Sequence, residues 1–430
     1  MSIVKKILKH FLISLICISL FVSTSTNAVC VEEPLNVLDI NGNNSNISQI
    51  RKDQKGALRA FFILKQYFQF DDTGNISSYP NNYGGTYINE KNELVLRVTE
   101  YDEWVRSIVQ GIEEQGETVI IELCRASLIT VVAEYLETKE FLPQEIINCS
   151  YYSSSLNSYV LRCYQENEDD LSEALSVLGT EFIIIQVDEK TDYCNHEQSG
   201  DTPLRTSYLY GGILLYYGQS PIGTLGISGS YSKNNVTNNH CYLTAGHVAY
   251  NRTVGPTSST TSQYSPIYCQ YQDGGTGDYA VVPAPTSYSK SNQVYTSNSL
   301  ARTSVTKYYS SVAYPEGAVV YKFGQATLLT YGNVVGDSYT GYVDWFNSNY
   351  QLYGMIAVNH SPYISAPGDS GGPCWVYNDQ DEIVLLGTVS GGSYPTWQTT
   401  YSTTMYVSTI CYAVSGGFTP YNMSAVTSIY

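Results

Sequence analysis

Beyond Thr206 the chain never sustains an apolar run long enough for a packed helix. GGILLYY, HCYLTAG, DYAVVP, GAVVYKFG, GMIAVN and EIVLLGTVSGG are short, and clusters of Gly, Ser, Asn and Pro separate them. Short runs rich in Val, Ile and Tyr between turn formers are strands, and a succession of them predicts an all-β barrel or sandwich. No helix is expected in this half beyond a short terminal turn.

The upstream half has a different grammar. Residues 52–67 place Ala57, Phe61, Leu64 and Tyr67 near one helical face. GTYIN and ELVLRVT read as two strands joined at Glu90, Lys91 and Asn92. A helix-like run over 101–115 precedes the strand TVIIEL, and a second covers 126–140. A strand over 158–164, a helix from Asp170 and the strand FIIIQV over 182–187 close the series. Such alternation predicts an α+β or α/β unit. TDYCNHEQSGDTPLRT, at 191–206, lacks apolar periodicity and reads as a linker.

Charge divides at the same place. Of the net charge of −17, residues 31–205 carry 13 basic and 30 acidic side chains, whereas residues 206–430 carry 6 and 9. The acidity belongs to the first half. A chain with so few clustered cations does not suit a nucleic-acid backbone, whose affinity comes mainly from Lys and Arg.

The first 28 residues, with Lys5, Lys6 and Lys9 ahead of an apolar run over 11–22 and small residues up to Ala28, form a secretory signal. The run is far shorter than the ~20 residues of a membrane span. Export is therefore expected, with cleavage after Ala28 and no membrane association afterwards. Nine cysteines follow, an odd number, and an oxidising compartment favours disulfides. Four lie in the second half and allow three pairings. The preferred one joins Cys241 to Cys269 and Cys374 to Cys411. No Cys or His spacing suggests a metal, and no cofactor is expected.

The chemistry concentrates in Ala366-Pro367-Gly368-Asp369-Ser370-Gly371-Gly372-Pro373. G-x-S-x-G also marks the nucleophile elbow of α/β-hydrolases, but those enzymes need a histidine after the serine. All five histidines here precede Ser370. The order His, Asp, Ser remains, met by His247 at the end of LTAGH, Asp278 in GDYAVV and Ser370. A serine hydroxyl needs a base to take its proton, which His247 supplies, and a carboxylate to orient that base, which Asp278 supplies. Asp273 is the competitor for the second role, but it lies in the Gly-rich turn DGGTG. The amides of Gly368 and Ser370 are assigned to an oxyanion hole. His240 and His360 are read as structural.

On these motifs the region 210–412 resembles the chymotrypsin-like serine proteases, specifically the bacterial streptogrisin and α-lytic protease group. The stretch PEGAVVYKFGQATLLTYG and Ser390-Gly391-Gly392 are similar to further patterns of that group. The resemblance implies a double six-stranded β-barrel over 209–430, preceded by an α+β propeptide over 29–208 that aids folding and inhibits the enzyme. It implies a buried ion pair between Lys322 and Asp369 and a contact from Ser390 to the triad aspartate. It also implies a specificity pocket near Ile364 and Ser365, walled by Ser390, Gly391 and Gly392, with Gly391 and Gly392 in the strand that pairs with substrate. Val248 departs from the group, which usually has a cysteine there, and so do Tyr321 and Tyr331, which stand where a disulfide is common.

With no acidic residue at the pocket base, and Val389 where glutamate-selective relatives carry histidine, the implied preference is for apolar or aromatic residues before the cleaved bond. Self-cleavage is expected after Tyr208 or Leu209. The partners are then peptide substrates and the chain's own propeptide, and the enzyme acts as a monomer. The competing reading is a catalytically silent adhesion protein on the same fold. It is disfavoured because no triad member is missing.

Overall fold

The computed structural model describes residues 44–70, 76–188, 207–271, 275–311, 314–345, 348–360, 363–393 and 401–429. The signal segment, the linker over 191–206, Cys30, Cys194 and Asp273 lie outside them.

In the N-terminal half, helix α1 (Asn44–Lys65) buries Ala57, Phe61 and Leu64, the face its periodicity marks, while Tyr67 lies beyond the helix and is exposed. Strands β1 (Tyr83–Ile88) and β2 (Leu94–Val98) form the expected hairpin. Helix α2 (Glu103–Glu114) is capped by Asp102, whose side chain accepts from the Val105 amide. It returns the chain to β3 (Ile120–Leu123), parallel to β2. After helix α3 (Leu128–Thr138) a second sheet joins β4 (Ile147–Ser153), β5 (Ser158–Tyr164) and, across helix α4 (Glu168–Leu178), β6 (Ile183–Asp188). Strand β4 is an addition to the expected series. INCSY alternates apolar and polar residues over 147–151, but the run is short and the polar SSSLNS stretch soon follows, which leaves the strand signal weak.

The second half is almost wholly strands. It opens with β7 (Tyr208–Gly211), and β8 (Ile227–Lys233) and β9 (Val236–Thr244) make a hairpin. Strands β10 (Tyr268–Gln270) and β11 (Tyr279–Pro283) complete the far side of that sheet, and β12 (Ser289–Tyr295) runs parallel to β7. A second sheet comprises β13 (Val319–Gly324), β14 (Leu328–Trp345), β15 (Ser348–Asn359), β16 (Pro373–Tyr377), β17 (Ile383–Ser393) and β18 (Thr404–Thr409). The order β15-β18-β17-β16-β13-β14, with β14 pairing back to β15, closes a six-stranded barrel. The C-terminal strand β19 (Phe418–Pro420) crosses back to pair with β8 of the first sheet. Helices here are short, α5 (Gly246–Ala249) and α6 (Ile410–Ser415).

The halves share structure. Strand β4 pairs with β14, Tyr151 opposite Tyr339 and Cys149 opposite Gly341, so the N-terminal sheet continues the barrel hairpin. One apolar core runs from Phe61, Leu64 and Ile108 to Tyr309, Val320 and Ile356.

Both expected disulfides are absent, since Cys241, Cys269, Cys374 and Cys411 are all thiols. The strand order explains why. Cys241 on β9 faces Pro283 and Cys269 on β10 faces Ala280, so β11 lies between them. Cys374 on β16 pairs with Gly387 of β17, which pairs on its other side with Thr409, two residues before Cys411. Two strand spacings put such Cα atoms roughly 9.5 Å or more apart. A disulfide needs about 4.4–6.8 Å. Burial instead pushes the Cys241 and Cys269 thiols up to about 12 and Cys411 to about 11.

The expected domain boundary at Tyr208 falls on a paired strand. Tyr208 and Leu209 stand in register with Ser289 and Lys290, the Ser289 amide donates to Ser207 O at 2.7 Å, and Leu209 is fully buried. A bond held in a strand reaches a protease cleft only after that strand unzips. N-terminal sequencing of the processed protein is therefore expected to begin at or before Ser207; a start at Leu209 or Tyr210 would contradict this.

Candidate active site

Asp278 enters the seam between the sheets just ahead of β11, where the Ser408 hydroxyl accepts its amide at 2.9 Å. Its carboxylate is buried and receives three hydrogen bonds. The His247 amide donates to Oδ1 at 3.0 Å, His247 Nδ1 lies 2.7 Å from Oδ2, and the Ser390 hydroxyl donates to Oδ2 at 2.6 Å. His247 reaches this position on the first turn after β9. There Gly246 leaves space that a side chain could not share with Asp278 and Tyr271. With its proton on Nδ1, facing the carboxylate, the imidazole keeps Nε2 as an acceptor.

Ser370 sits in the tight turn before β16. Its carbonyl accepts from the Thr224 amide at 2.8 Å, and its hydroxyl donates to Ser390 O at 3.2 Å. Ser390 thus meets the nucleophile candidate through its backbone and the aspartate through its side chain. Gly371 has φ +89°, and a Cβ there would overlap Thr224 O, so only glycine fits the turn. The amides of Asp369, Gly371 and Gly372 donate to Ala366 O, Val389 O and Asp369 O. Among the described residues, those of Gly368 and Ser370 donate to no protein acceptor. Two unclaimed amides beside the hydroxyl make an anion-accepting corner.

The expected ion pair is present and deeper than sequence could tell. Lys322 Nζ lies 2.7 Å from Asp369 Oδ2, and both side chains are fully buried. Asp369 also accepts from the amides of Ala326 (2.8 Å), Thr327 (3.1 Å) and Ala366 (3.0 Å) and from the Thr327 hydroxyl (2.6 Å). Burial pushes the lysine pKa down and the neighbouring carboxylate opposes it. Sequence reasoning missed Ser408 and Thr224, whose hydroxyl donates to Gly368 O at 2.6 Å. Single hydroxyls far away in the chain carry no spacing signal.

At the pocket, Ile364 belongs to the apolar core, with its amide on Ser402 O at 2.6 Å and its carbonyl accepting from Thr330. The Ser365 hydroxyl is buried without a partner and stands against Gly392, where any Cβ would come within 2.7 Å of it. The expected pocket base thus holds a buried hydroxyl beside the Gly392 backbone. Ser390, Gly391 and Gly392 line β17 past the point where its pairing with β16 ends at Thr388, so one edge is open among the described residues. His240 bonds Pro285 O at 3.1 Å, and His360 is half-buried beside Tyr331, so neither joins the site.

This juxtaposition of a closed β-barrel, a second β-sheet and a His-Asp-Ser constellation in their seam decides the fold. The second half has the all-β barrel fold that its short strands predict. Ahead of it, residues 47–134 match a family model described as a Pro-like N-terminal domain. No curated protein matches the chain in sequence. Among solved structures, the chymotrypsin of Cellulomonas bogoriensis is similar at 20% identity over 48% of this chain and 94% of its own, with a TM-score of 0.35. Protease A of Thermobifida fusca is similar at 18% identity over 50% and 99%, with a TM-score of 0.37. A glutamic-acid-specific serine protease is similar at 22% identity over 49% and 100%, also with a TM-score of 0.37.

Removing one member of a buried ion pair strands the other, at about 3–5 kcal/mol. Lys322→Met is expected to lower the urea midpoint of the chain accordingly, measured in a Ser370→Ala background to prevent proteolysis. An unchanged midpoint would mean that the hydrogen bonds to Asp369 hold it without the lysine.

Proposed function

We propose that the chain is a secreted serine endopeptidase made as a zymogen, with His247, Asp278 and Ser370 as its triad and the N-terminal half as its propeptide. The observation that carries this reading is the continuous link from the Ser370 hydroxyl through Ser390 to Asp278 and His247, with the two unclaimed amides of Gly368 and Ser370 alongside.

In the proposed reaction Ser370 Oγ turns from Ser390 O to His247 Nε2 and attacks the substrate carbonyl carbon as its proton passes to Nε2. The carbonyl oxygen, now negative, takes the amides of Gly368 and Ser370. Asp278 steadies the imidazolium and fixes its orientation. The C–N bond breaks, the amine leaves with the proton from Nε2, and an acyl-enzyme remains. Water repeats the sequence and frees the acid. Leaving Ser390 O also frees that carbonyl for a substrate amide, because the open edge of β17 suits an extended peptide added as a strand.

A pocket without a carboxylate and floored by Ser365 and Gly392 supports cleavage after large apolar or aromatic residues. The lone hydroxyl of Ser365 offers a partner to a tyrosine side chain. Fluorogenic peptides with Tyr, Phe or Leu before the cleaved bond are expected to be hydrolysed faster than those with Arg or Glu. Faster turnover after Arg or Glu would refute that preference. Ser370→Ala should abolish turnover, and Asp278→Asn, which reverses the imidazole tautomer, should lower kcat about 10⁴-fold. Undiminished hydrolysis by either variant would remove the triad from the account.

A further inference from the structure

A third carboxylate ringed by hydrogen-bond donors lies away from the active site, where the two halves meet. Glu316, just ahead of β13, points its carboxylate into the turn between β4 and β5 of the N-terminal half. The Ser154 amide donates to it at 2.8 Å and the Ser155 amide at 3.3 Å, joined by the hydroxyls of Ser153 at 3.2 Å and Ser155 at 2.5 Å. Among the described residues its partners are amides and hydroxyls, with no cation among them. Burial raises the carboxyl pKa against the downward pull of those hydrogen bonds.

The nest is built by the N-terminal half alone. On its far side Arg97 of β2 donates to Ser154 O at 3.0 Å and to Ser155 O, and is itself held by Glu122 at 3.1 Å. Asn157, at φ +49°, closes the turn with its side-chain amide on Ala126 O at 3.0 Å and Gly84 O at 3.3 Å. The flanking backbone of Glu316 is read as well. Glu316 O accepts from the Ile88 amide at 2.7 Å, and Gln54 bonds Gly317 O at 2.9 Å and the Val319 amide at 3.1 Å. Gly317, at φ +85°, approaches Ile88 so closely that a Cβ would overlap Ile88 O.

We propose that Glu316 is the residue by which the protease half keeps hold of the N-terminal half once the linker is cut, so that the lifetime of this carboxylate in the 153–155 nest sets how fast the halves part. The proposal rests on the zymogen reading above for its biological meaning. The apolar contacts and the β4–β14 pairing supply area, and Lys55 with Asp381, Arg59 with Asp379 and Lys65 with Tyr309 add single polar contacts, whereas a preformed nest with four donors around one carboxylate supplies register. Losing one partner of an enclosed, hydrogen-bonded charge acts chiefly on dissociation.

The test uses the full chain carrying Ser370→Ala, with a recognition site for a sequence-specific processing protease inserted after Gly200. After cutting, the halves are followed by size exclusion and by their rate of separation on dilution. With Glu316 intact they are expected to co-elute. Glu316→Gln, which turns a donor toward the donors of the nest, and Ser153→Ala with Ser155→Ala, from the other side, should each speed separation at least tenfold. Combined, they should be no faster than the more severe alone. Glu103→Gln, which loses an exposed salt bridge to Arg106 within the N-terminal half, should leave the rate unchanged. Unaltered separation in either nest variant, fully additive effects, or equal acceleration by Glu103→Gln would overturn the proposal. The readout concerns an inactive chain, so its failure is distinct from failure of the peptidase reading.

Discussion

The architecture of the second half depends on keeping one carboxylate charged away from water. Asp278 stands just ahead of β11 of the first sheet, yet its partners come from both sides of the seam. His247 follows β9, while Ser390 and Ser408 belong to the closed barrel. An isolated buried carboxylate would cost several kcal/mol, so the two sheets must stay in register to satisfy it. The need to bury one anion thereby aligns the imidazole and the serine loop, each of which is carried by a different sheet.

A second enclosed anion does for the loop what the first does for the seam. Asp369 is bound by Lys322 and by donors from the segment after β13, which ties the turn before Ser370 to the barrel wall. With Asp369 committed inward, the amides of its neighbours Gly368 and Ser370 donate to no acceptor among the described residues. The preorganised donors therefore follow from how the adjacent charge is neutralised. Glu316 repeats the arrangement at the boundary between the halves, with amides and hydroxyls in place of a cation.

Much of this was legible in the sequence, for reasons that differ by residue. TAGH, GDYA and PGDSGGP are local patterns, and turn chemistry makes them specific: glycine at 371 is forced by backbone overlap, so the motif reports its own conformation. The alternation of helices and strands upstream, and the absence of long helices downstream, came from periodicity that burial enforces. The cysteine pairing was not legible, because it depends on which strand lies between two others, and β11 and β17 intervene. Ile364 and Ser365 were expected near the pocket base by resemblance; Ile364 lies in the apolar core, and Ser365 faces Gly392, a contact no local pattern announces. Glu316 and the serines at 153–155 lie some 160 residues apart in the chain, and no spacing rule reaches so far.

The central claim is that the seam activates one hydroxyl out of the many serines of this chain. Labelling of the processed protein with a fluorophosphonate, mapped by peptide mass spectrometry, tests it most directly. The account predicts a single adduct, on Ser370, which denaturation before labelling abolishes. An unlabelled folded protein, or an adduct on any other residue, would contradict it.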